Sequence, residues 1–469
     1  MPPRLSKFAV PCSCKEYVHP WVDSCISAAT GLGLHTFQES LRLYSTVYLI
    51  AFMTRRKVPK GDDIRKMLLG ILQSAAFLSW NGFAYAAYLC ILRRLLGNFN
   101  ILTVSFLPSF LASLMAILIE RPSRRTLLCL YVSNIATETL FRMGVWRGYF
   151  SVLQKGEVYI FAISAALLLH LYRSKGNKED SIFKIIRHVI GPYEEYRYQE
   201  KQMLQSSRST EVLSDPMTSF INENQDLNSS KNSVFNAVWE GFRMYKDIIV
   251  WMKSQSKHPF CPHPYSCFHY VLMGSAKLFG YGVCAQLALK LVFQAKQLVR
   301  RPQLFKNVIL RRENLYLATF LGGFPGIFRL TSCLLRRVFN GDSQFFAIPA
   351  GVLASIAFTM YPNNTIALYV MWKALQILWA RGVESKKFPE VRWFVIFLYS
   401  FSTAILFHAA IIEPQNLRTS YWKFLHNISG GRIAAMARLP LDEFGLNTSS
   451  NVQDILRKTR TMDKLVYSF

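Results

Sequence analysis

The amino-acid sequence predicts an all-α membrane protein, a polytopic helical bundle of about ten spans built as two internally duplicated five-helix halves. Of its 469 residues, 51% are hydrophobic and only 18% are charged, which is outside the usual range of soluble domains. Two charge-free runs, 26 residues between Lys66 and Arg93 and 20 residues between Arg392 and Glu413, can each cross a hydrocarbon core of about 30 Å as a helix. These runs exclude a soluble fold.

Ten apolar runs predict the helices in chain order. The first five lie near 30–53, 67–92, 101–119, 126–146 and 157–172, and the second five near 267–295, 315–335, 344–361, 364–380 and 393–412. We therefore divide the chain into a Cys/His leader (1–25), a first membrane repeat (26–172), a polar linker (173–258), a second membrane repeat (259–412) and a polar C-terminal tail (413–469). The two ends of the linker carry apolar residues at helical spacing, which predicts interfacial helices there.

The two halves match each other in sequence. Cys90-Ile-Leu-Arg-Arg94 corresponds to Cys333-Leu-Leu-Arg-Arg337 at an offset of 243, and Leu111-Ala-Ser113 corresponds to Leu353-Ala-Ser355 at an offset of 242. The common order and nearly constant offset indicate an internal duplication. An odd number of spans in each copy predicts that the second copy inserts upside down, which is the inverted-repeat arrangement of many transporters.

Lysine and arginine outnumber aspartate and glutamate by 55 to 28, which gives a net charge of +27. In a soluble protein this charge would suggest nucleic acid. Here the basic residues cluster beside apolar runs, as at Arg55-Arg56-Lys57, so membrane lipids with anionic head groups are the expected partner and nucleic acid is not.

Cysteines and histidines cluster in the leader and in the corresponding segment at the start of the second repeat, and these residue types are the ligands that Zn²⁺ prefers. The candidates for a metal site are Cys12, Cys14, His19, Cys25, Cys261, His263 and Cys267. The spacing matches no established zinc signature, so disulfides and free thiols stay open as alternatives. The other four cysteines, Cys90, Cys129, Cys284 and Cys333, lie in apolar runs and are interpreted as packing residues.

Glu138 and Arg142 form the most unusual feature within an apolar run. They are four residues apart and share one face of a helix, where opposite charges can neutralise each other. Ionisable groups at membrane depth are uncommon and often functional. A functional pair and a structural clamp between helices are both consistent with this pattern.

The sequence carries no motif that would point to catalysis. P-loop, Rossmann glycine, His-Glu-x-x-His and Gly-x-Ser-x-Gly patterns are all missing from it. We therefore expect a non-enzymatic protein that uses no cofactor.

Several segments together resemble the transmembrane protein 135 family, also called peroxisomal membrane protein 52. They run in order from the leader to the tail and are His19-Pro20 with Ser24-Cys25, Ile71-Leu-Gln-Ser-Ala75, Ala116-Ile-Leu-Ile-Glu120, Ala136-Thr-Glu-Thr-Leu-Phe-Arg-Met-Gly-Val145, Thr331-Ser-Cys333 and Ser420-Tyr-Trp-Lys-Phe-Leu425. The linker departs from the family.

The resemblance implies a multi-pass protein of the mitochondrial and peroxisomal membranes, with a more distant similarity to the pore-forming translocases of the inner mitochondrial membrane. It further implies a role in mitochondrial fission and its balance against fusion, in peroxisome organisation and in lipid metabolism, with the cytosolic fission machinery as an expected partner. A transporter or lipid-translocating channel built on an inverted repeat is the alternative.

Overall fold

A computed structural model of the chain describes residues 6–53, 61–174, 180–195, 233–300 and 312–461. The helices of the first half are α1 (Cys14–Tyr17), α2 (Cys25–Met53), α3 (Gly61–Leu96), α4 (Phe106–Ile119), α5 (Pro122–Trp146), α6 (Gly156–Arg173) and α7 (Ser181–Ile190). Those that follow are α8 (Ser233–Ser254), α9 (Cys267–Arg300), α10 (Glu313–Phe339), α11 (Ala347–Ala354), α12 (Asn364–Glu384), α13 (Phe394–Ile412), α14 (Thr419–Ile428), α15 (Arg432–Ala435) and α16 (Thr448–Thr459). Short 3₁₀ turns lie between several of them, and two two-residue strands, β1 (Ala9–Val10) and β2 (Phe99–Asn100), pair antiparallel.

The prediction of an all-α membrane protein is confirmed, and the ten apolar runs all fall on helices. Among the described residues, five helices are long and apolar enough to cross a membrane, namely α3, α6, the Cys267–Leu291 part of α9, α10 and α13. On the outer side of α3, Leu68, Leu69 and Leu72 are each at least half exposed, as suits contact with lipid hydrocarbon. Helix α5, with Glu138 and Arg142, is not among the five, so the count of ten spans stays a prediction.

Helix ends follow from local chemistry. At α1 the Ser13 hydroxyl accepts a hydrogen bond from the Glu16 backbone N–H, and the Glu16 carboxylate accepts one from the Ser13 N–H, which is a capping box. The Asn363 side chain likewise accepts hydrogen bonds from the first backbone N–H groups of α12. Helix α5 begins at Pro122, whose missing N–H costs nothing in the first turn.

The described residues fall into two compact units. Unit 1 comprises 1–154 and 388–469, so it combines α1 to α5 with α13 and the helices after it. In unit 1, α2 packs on α3, α3 packs on α4, and α13 packs on both α4 and α5. The sheet formed by β1 and β2 ties the leader to the loop after α3.

Unit 2 comprises 155–387, and it repeats this pattern of helix contacts. Helix α9 packs on α10, and α6 packs on both α11 and α12. Phe161 stacks on Phe358 at a ring-centroid distance of 4.1 Å in its core. Gly351 permits close approach of α11 to α6, because a Cβ atom there would lie 2.8 Å from the Ala166 Cα atom. In each unit the predicted fifth span packs on the third and fourth spans of the other predicted repeat.

The segment after Glu413, predicted as a polar tail, is folded over 414–461. Helix α14 contributes Trp422 to the core of unit 1, and the 3₁₀ turn Leu439–Phe444 contributes Leu441 and Phe444. All three side chains are fully buried. The overall composition of this segment is polar, which favours its interpretation as a polar tail. Its few apolar residues are nevertheless spaced so that they reach the core.

Candidate functional site

Unit 1 contains a cluster of three cysteines and one histidine, which we call the unit 1 tetrad: Cys14, His19, Cys25 and Cys90. Their ligand atoms all lie within 4.8 Å of one another. The elements that bring them together are the leader, which supplies Cys14 on α1 and His19 just after it, the first residue of α2, which is Cys25, and α3, which supplies Cys90. His19 is buried, and its Nε2 atom lies 3.3 Å from the Cys25 Sγ atom.

Unit 2 contains a second cluster of the same composition, which we call the unit 2 tetrad: Cys261, His263, Cys267 and Cys333. Its ligand atoms also lie within 4.8 Å of one another. Cys261 and His263 precede α9, Cys267 is its first residue, and Cys333 lies on α10, so each ligand occupies the same position relative to its helix pair as in unit 1. The Cys261 and Cys267 Sγ atoms are 3.7 Å apart, and the His263 Nε2 atom is 3.6 Å from the Cys333 Sγ atom.

The structure corrects the interpretation of Cys90 and Cys333 as packing residues, because each completes a tetrad. It also leaves Cys12 outside both clusters; Cys12 is buried on its own in the core of unit 1. The signal that could have identified the two missing cysteines was present in the predicted duplication, since Cys90 and Cys333 open the matching Cys-x-Leu-Arg-Arg segments. All nine cysteines are free thiols in this structure.

The surroundings of Cys14 and Cys12 shift the pKa values of the two thiols in opposite directions. The pKa of the Cys14 thiol is lowered to about 6, chiefly because Cys90 donates a hydrogen bond to its sulfur, with His19, Cys25 and Arg93 acting in the same direction. Burial raises the pKa of the Cys12 thiol to about 11. The thiolate character that metal ligation requires is thus favoured at Cys14 and disfavoured at Cys12.

Glu138 and Arg142 form the predicted ion pair, with 2.5 Å between the Glu138 Oε1 and Arg142 Nη2 atoms. Glu138 also accepts a hydrogen bond from Arg418, a second partner that the sequence analysis missed because it is 280 residues away. The Glu138 side chain is 8% exposed, against 43% for Arg142 and 21% for Arg418. The carboxylate therefore joins α5 to the segment before α14 within unit 1.

Unit 2 contains a buried ionic network around Glu194, which follows α7. Arg336 donates two hydrogen bonds to the Glu194 carboxylate, at 2.9 and 2.6 Å, and both side chains are fully buried. Arg173 and Asp342 extend the network. Burial alone would raise the pKa of Glu194, but the charges of Arg336 and Arg173 outweigh it and hold the pKa at about 2. Glu194 therefore holds the buried Arg336 and Arg173 side chains together through its carboxylate.

A cavity of about 260 Å³ lies within unit 1. Helices α2, α3, α5, α13 and α14 line it, mostly with apolar and aromatic side chains such as Phe77, Leu89, Phe407 and Phe424. The volume is near the lower end of the range of small-molecule pockets. Asn81 and Tyr85 are polar residues that line the cavity, and they are only 6% and 5% exposed. Within the described part of the chain, the Asn81 Oδ1 and Tyr85 Oη atoms have no hydrogen-bond partner.

Residues 11–145 match the family model described as the N-terminal cysteine-rich region of Transmembrane protein 135. The predicted family resemblance is thereby confirmed, and the matched segment contains all four residues of the unit 1 tetrad together with Asn81, Tyr85 and Glu138. No solved structure matches this chain.

Proposed function

Because residues 11–145 match the family model of the cysteine-rich region of Transmembrane protein 135, we propose that the chain is a non-enzymatic membrane protein of mitochondria and peroxisomes that binds a lipid in the cavity of unit 1. Through that lipid it would regulate the balance of mitochondrial fission and fusion, peroxisome organisation and lipid metabolism. The family supports the organelles and the processes. The cavity is the observation that carries the lipid-binding activity.

The lining of the cavity indicates the kind of ligand. Apolar walls formed by helices of a membrane protein favour a hydrocarbon body, whose transfer from water contributes about 0.8 kcal/mol for each buried CH₂ group. Buried polar atoms almost always have a hydrogen-bond partner. A hydroxyl or protonated carboxyl group on the ligand would donate a hydrogen bond to the Asn81 Oδ1 atom, and its oxygen would accept one from the Tyr85 hydroxyl. The ligand class is thus a lipid with one small polar head, such as a fatty acid or a sterol.

Photo-crosslinking tests the binding activity. Purified protein would be labelled in liposomes with a photoreactive fatty acid or a photoreactive sterol, and Ala86→Trp should reduce labelling at least several-fold because Ala86 lines the cavity. Leu127→Trp is the matched control, since Leu127 is 63% exposed on α5 and does not line the cavity. Equal labelling of both variants by both probes would refute lipid binding in this cavity.

Cellular work tests the physiological part of the proposal. Loss of the protein should elongate mitochondria and excess protein should fragment them. Ala86→Trp should localise like the wild type and fail to restore network length. Unchanged network length after both loss and excess would remove the fission role and leave lipid handling as the function. Docking of the cytosolic fission machinery through exposed loops would appear as recovery of its components with the wild-type protein after crosslinking.

Lipid translocation is the second candidate, and the matched helix contacts of the two units favour it. In unit 1, α13 packs on α4 and α5, and in unit 2, α6 packs on α11 and α12. Such duplication is the pattern of inverted-repeat transporters. Movement of a fluorescent lipid between leaflets of reconstituted liposomes separates the two candidates, because a protein that only binds lipid gives labelling without movement.

A further inference from the structure

We propose that the chain binds two structural zinc ions, one in the unit 1 tetrad and one in the unit 2 tetrad. Three thiolates and one imidazole are a Cys₃His ligand set, which is common in structural zinc sites. Soft thiolate ligands select zinc over the hard cations Mg²⁺ and Ca²⁺. This inference is independent of the lipid-binding proposal.

Three distances between ligand atoms in the tetrads are close to those that one tetrahedral ion would impose. With zinc about 2.3 Å from sulfur and about 2.0–2.1 Å from nitrogen, two sulfurs lie about 3.8 Å apart and a sulfur and a nitrogen about 3.5 Å apart. The Cys261 and Cys267 sulfurs are 3.7 Å apart, and His263 Nε2 is 3.6 Å from the Cys333 sulfur. In unit 1, His19 Nε2 is 3.3 Å from the Cys25 sulfur.

Both histidines are oriented for ligation by their second nitrogen. His19 Nδ1 lies 2.8 Å from the Val22 carbonyl oxygen, and His263 Nδ1 lies 2.6 Å from the Tyr265 carbonyl oxygen. A carbonyl only accepts, so each Nδ1 carries the proton and each Nε2 of the neutral ring presents a lone pair to its tetrad. This backbone-held tautomer is the usual outer shell of a metal-bound histidine.

Disulfides account for the clusters less well. Each tetrad has three cysteines, so pairing within it would leave one thiol and the histidine unused. The separation of 3.7 Å between the Cys261 and Cys267 sulfurs is far from the roughly 2.05 Å of a disulfide. Four protein ligands around one ion leave no open position, so the sites hold structure and do not catalyse.

The positions of the ligands indicate what the zinc ions stabilise. In each unit, two ligands come from the leader and one each from the two long helices that follow, which are α2 with α3 and α9 with α10. Each ion would fasten its leader to the end of a helix pair. The same arrangement of ligands in both units is what the predicted duplication would produce.

Metal analysis of the full-length protein, purified in detergent without chelators, tests the proposal. We expect two zinc ions per chain, one per tetrad, by inductively coupled plasma mass spectrometry. Cys90→Ser and Cys333→Ser should each leave one ion, and the double variant should leave none. Cys12→Ser and Cys129→Ser are the matched controls and should keep both ions, because neither residue belongs to a tetrad.

A wild-type measurement covers the case in which a serine variant fails to fold. A mercurial thiol reagent should release two zinc ions per chain to a metallochromic dye, and cobalt substitution should give the thiolate charge-transfer bands of a tetrahedral site. Metal-free protein, or iron or copper in place of zinc, would overturn the proposal. A tetrad variant that keeps both ions would overturn it for that unit.

Discussion

Glu138 has two arginine partners, and this changes what the loss of either one should cost. The sequence predicts a closed pair with Arg142, for which removal of one partner would leave an unpaired buried charge. In the structure Arg418 donates to the same carboxylate. Arg142, moreover, is nearly half exposed and can turn to water when it loses its partner. The buried member whose charge must be compensated is therefore Glu138.

The two arginines should act as substitutes for each other. Arg142→Gln and Arg418→Gln should each lower the free energy of unfolding by about 1 kcal/mol, since Glu138 keeps one cationic partner. The double variant leaves the buried Glu138 carboxylate without a cationic partner, so it should lower the free energy of unfolding by about 3–5 kcal/mol. Adding Glu138→Gln should recover most of that loss. Thermal melting of detergent-solubilised variants measures these effects. Additive single and double effects would show that the arginines do not share the carboxylate.

Gly274 on α9 makes room for a buried arginine of unit 2. Arg329 is 6% exposed and donates hydrogen bonds to the carbonyls of Val189, Ile190 and Tyr270. A Cβ atom on Gly274 would lie 0.9 Å from the Arg329 Nη1 atom. Because three carbonyls hold the guanidinium in place, it cannot swing aside without losing them.

Gly274→Ala should therefore destabilise unit 2 by about 1–3 kcal/mol, the usual cost of overpacking a well-packed site. Gly280 lies on the same helix with open space around its Cα atom, so Gly280→Ala should be neutral or stabilising. Fluorescence-detected size-exclusion chromatography after heating compares the two variants. A Gly274→Ala protein as heat-resistant as Gly280→Ala would mean that Arg329 is not fixed there.

The helices themselves could be predicted from the sequence, but the choice of partners could not. Hydrophobic runs locate α3 and α13 because lipid-facing and core-facing residues are both apolar over a whole span. Nothing local specifies that α13 packs on α4 and α5, since that choice depends on shapes brought together from distant segments. The same limit explains Cys90, which lies 65 residues beyond Cys25 and joins it only because α2 packs on α3.

The helices after α13 form part of the core of unit 1. Trp422 on α14 is fully buried, and its neighbours Tyr421 and Phe424 line the cavity. The overall composition of this segment is polar, as predicted, and a few well-spaced apolar residues within it reach the core.

Replacing the buried indole of Trp422 should destabilise the packing of α14 in unit 1. Trp422→Ala should lower the free energy of unfolding by about 3–5 kcal/mol, because a large core side chain leaves a cavity behind. Trp393→Ala is the matched control, since Trp393 is 55% exposed, and its effect should stay within about 0.5 kcal/mol. The abundance of folded protein and its melting temperature are the measurements. Similar losses of stability in both variants would indicate that Trp422 is not buried in the core of unit 1.

At the scale of the whole molecule, unit 1 is built from two separate stretches of chain and unit 2 from one. A chain that stops after Lys387 keeps every residue of unit 2 and loses α13 together with α14 to α16. We expect limited proteolysis of this truncated protein to spare fragments from 155–387 and to cut within 1–154. Equal protection of both regions, as in the full-length protein, would show that unit 1 does not need its second stretch.

The interrupted course of unit 1 also sets an order of assembly during translation. The ribosome delivers 1–154 first and then all of 155–387, and only afterwards the helix that packs on α4 and α5. Until α13 emerges, Phe106 and Phe110 on α4 lack the ring partners Phe401 and Phe397 that α13 supplies. Unit 1 thus stays incomplete while more than 230 residues are synthesised. At that stage the nascent chain exposes apolar surface that membrane insertases and quality-control factors can bind.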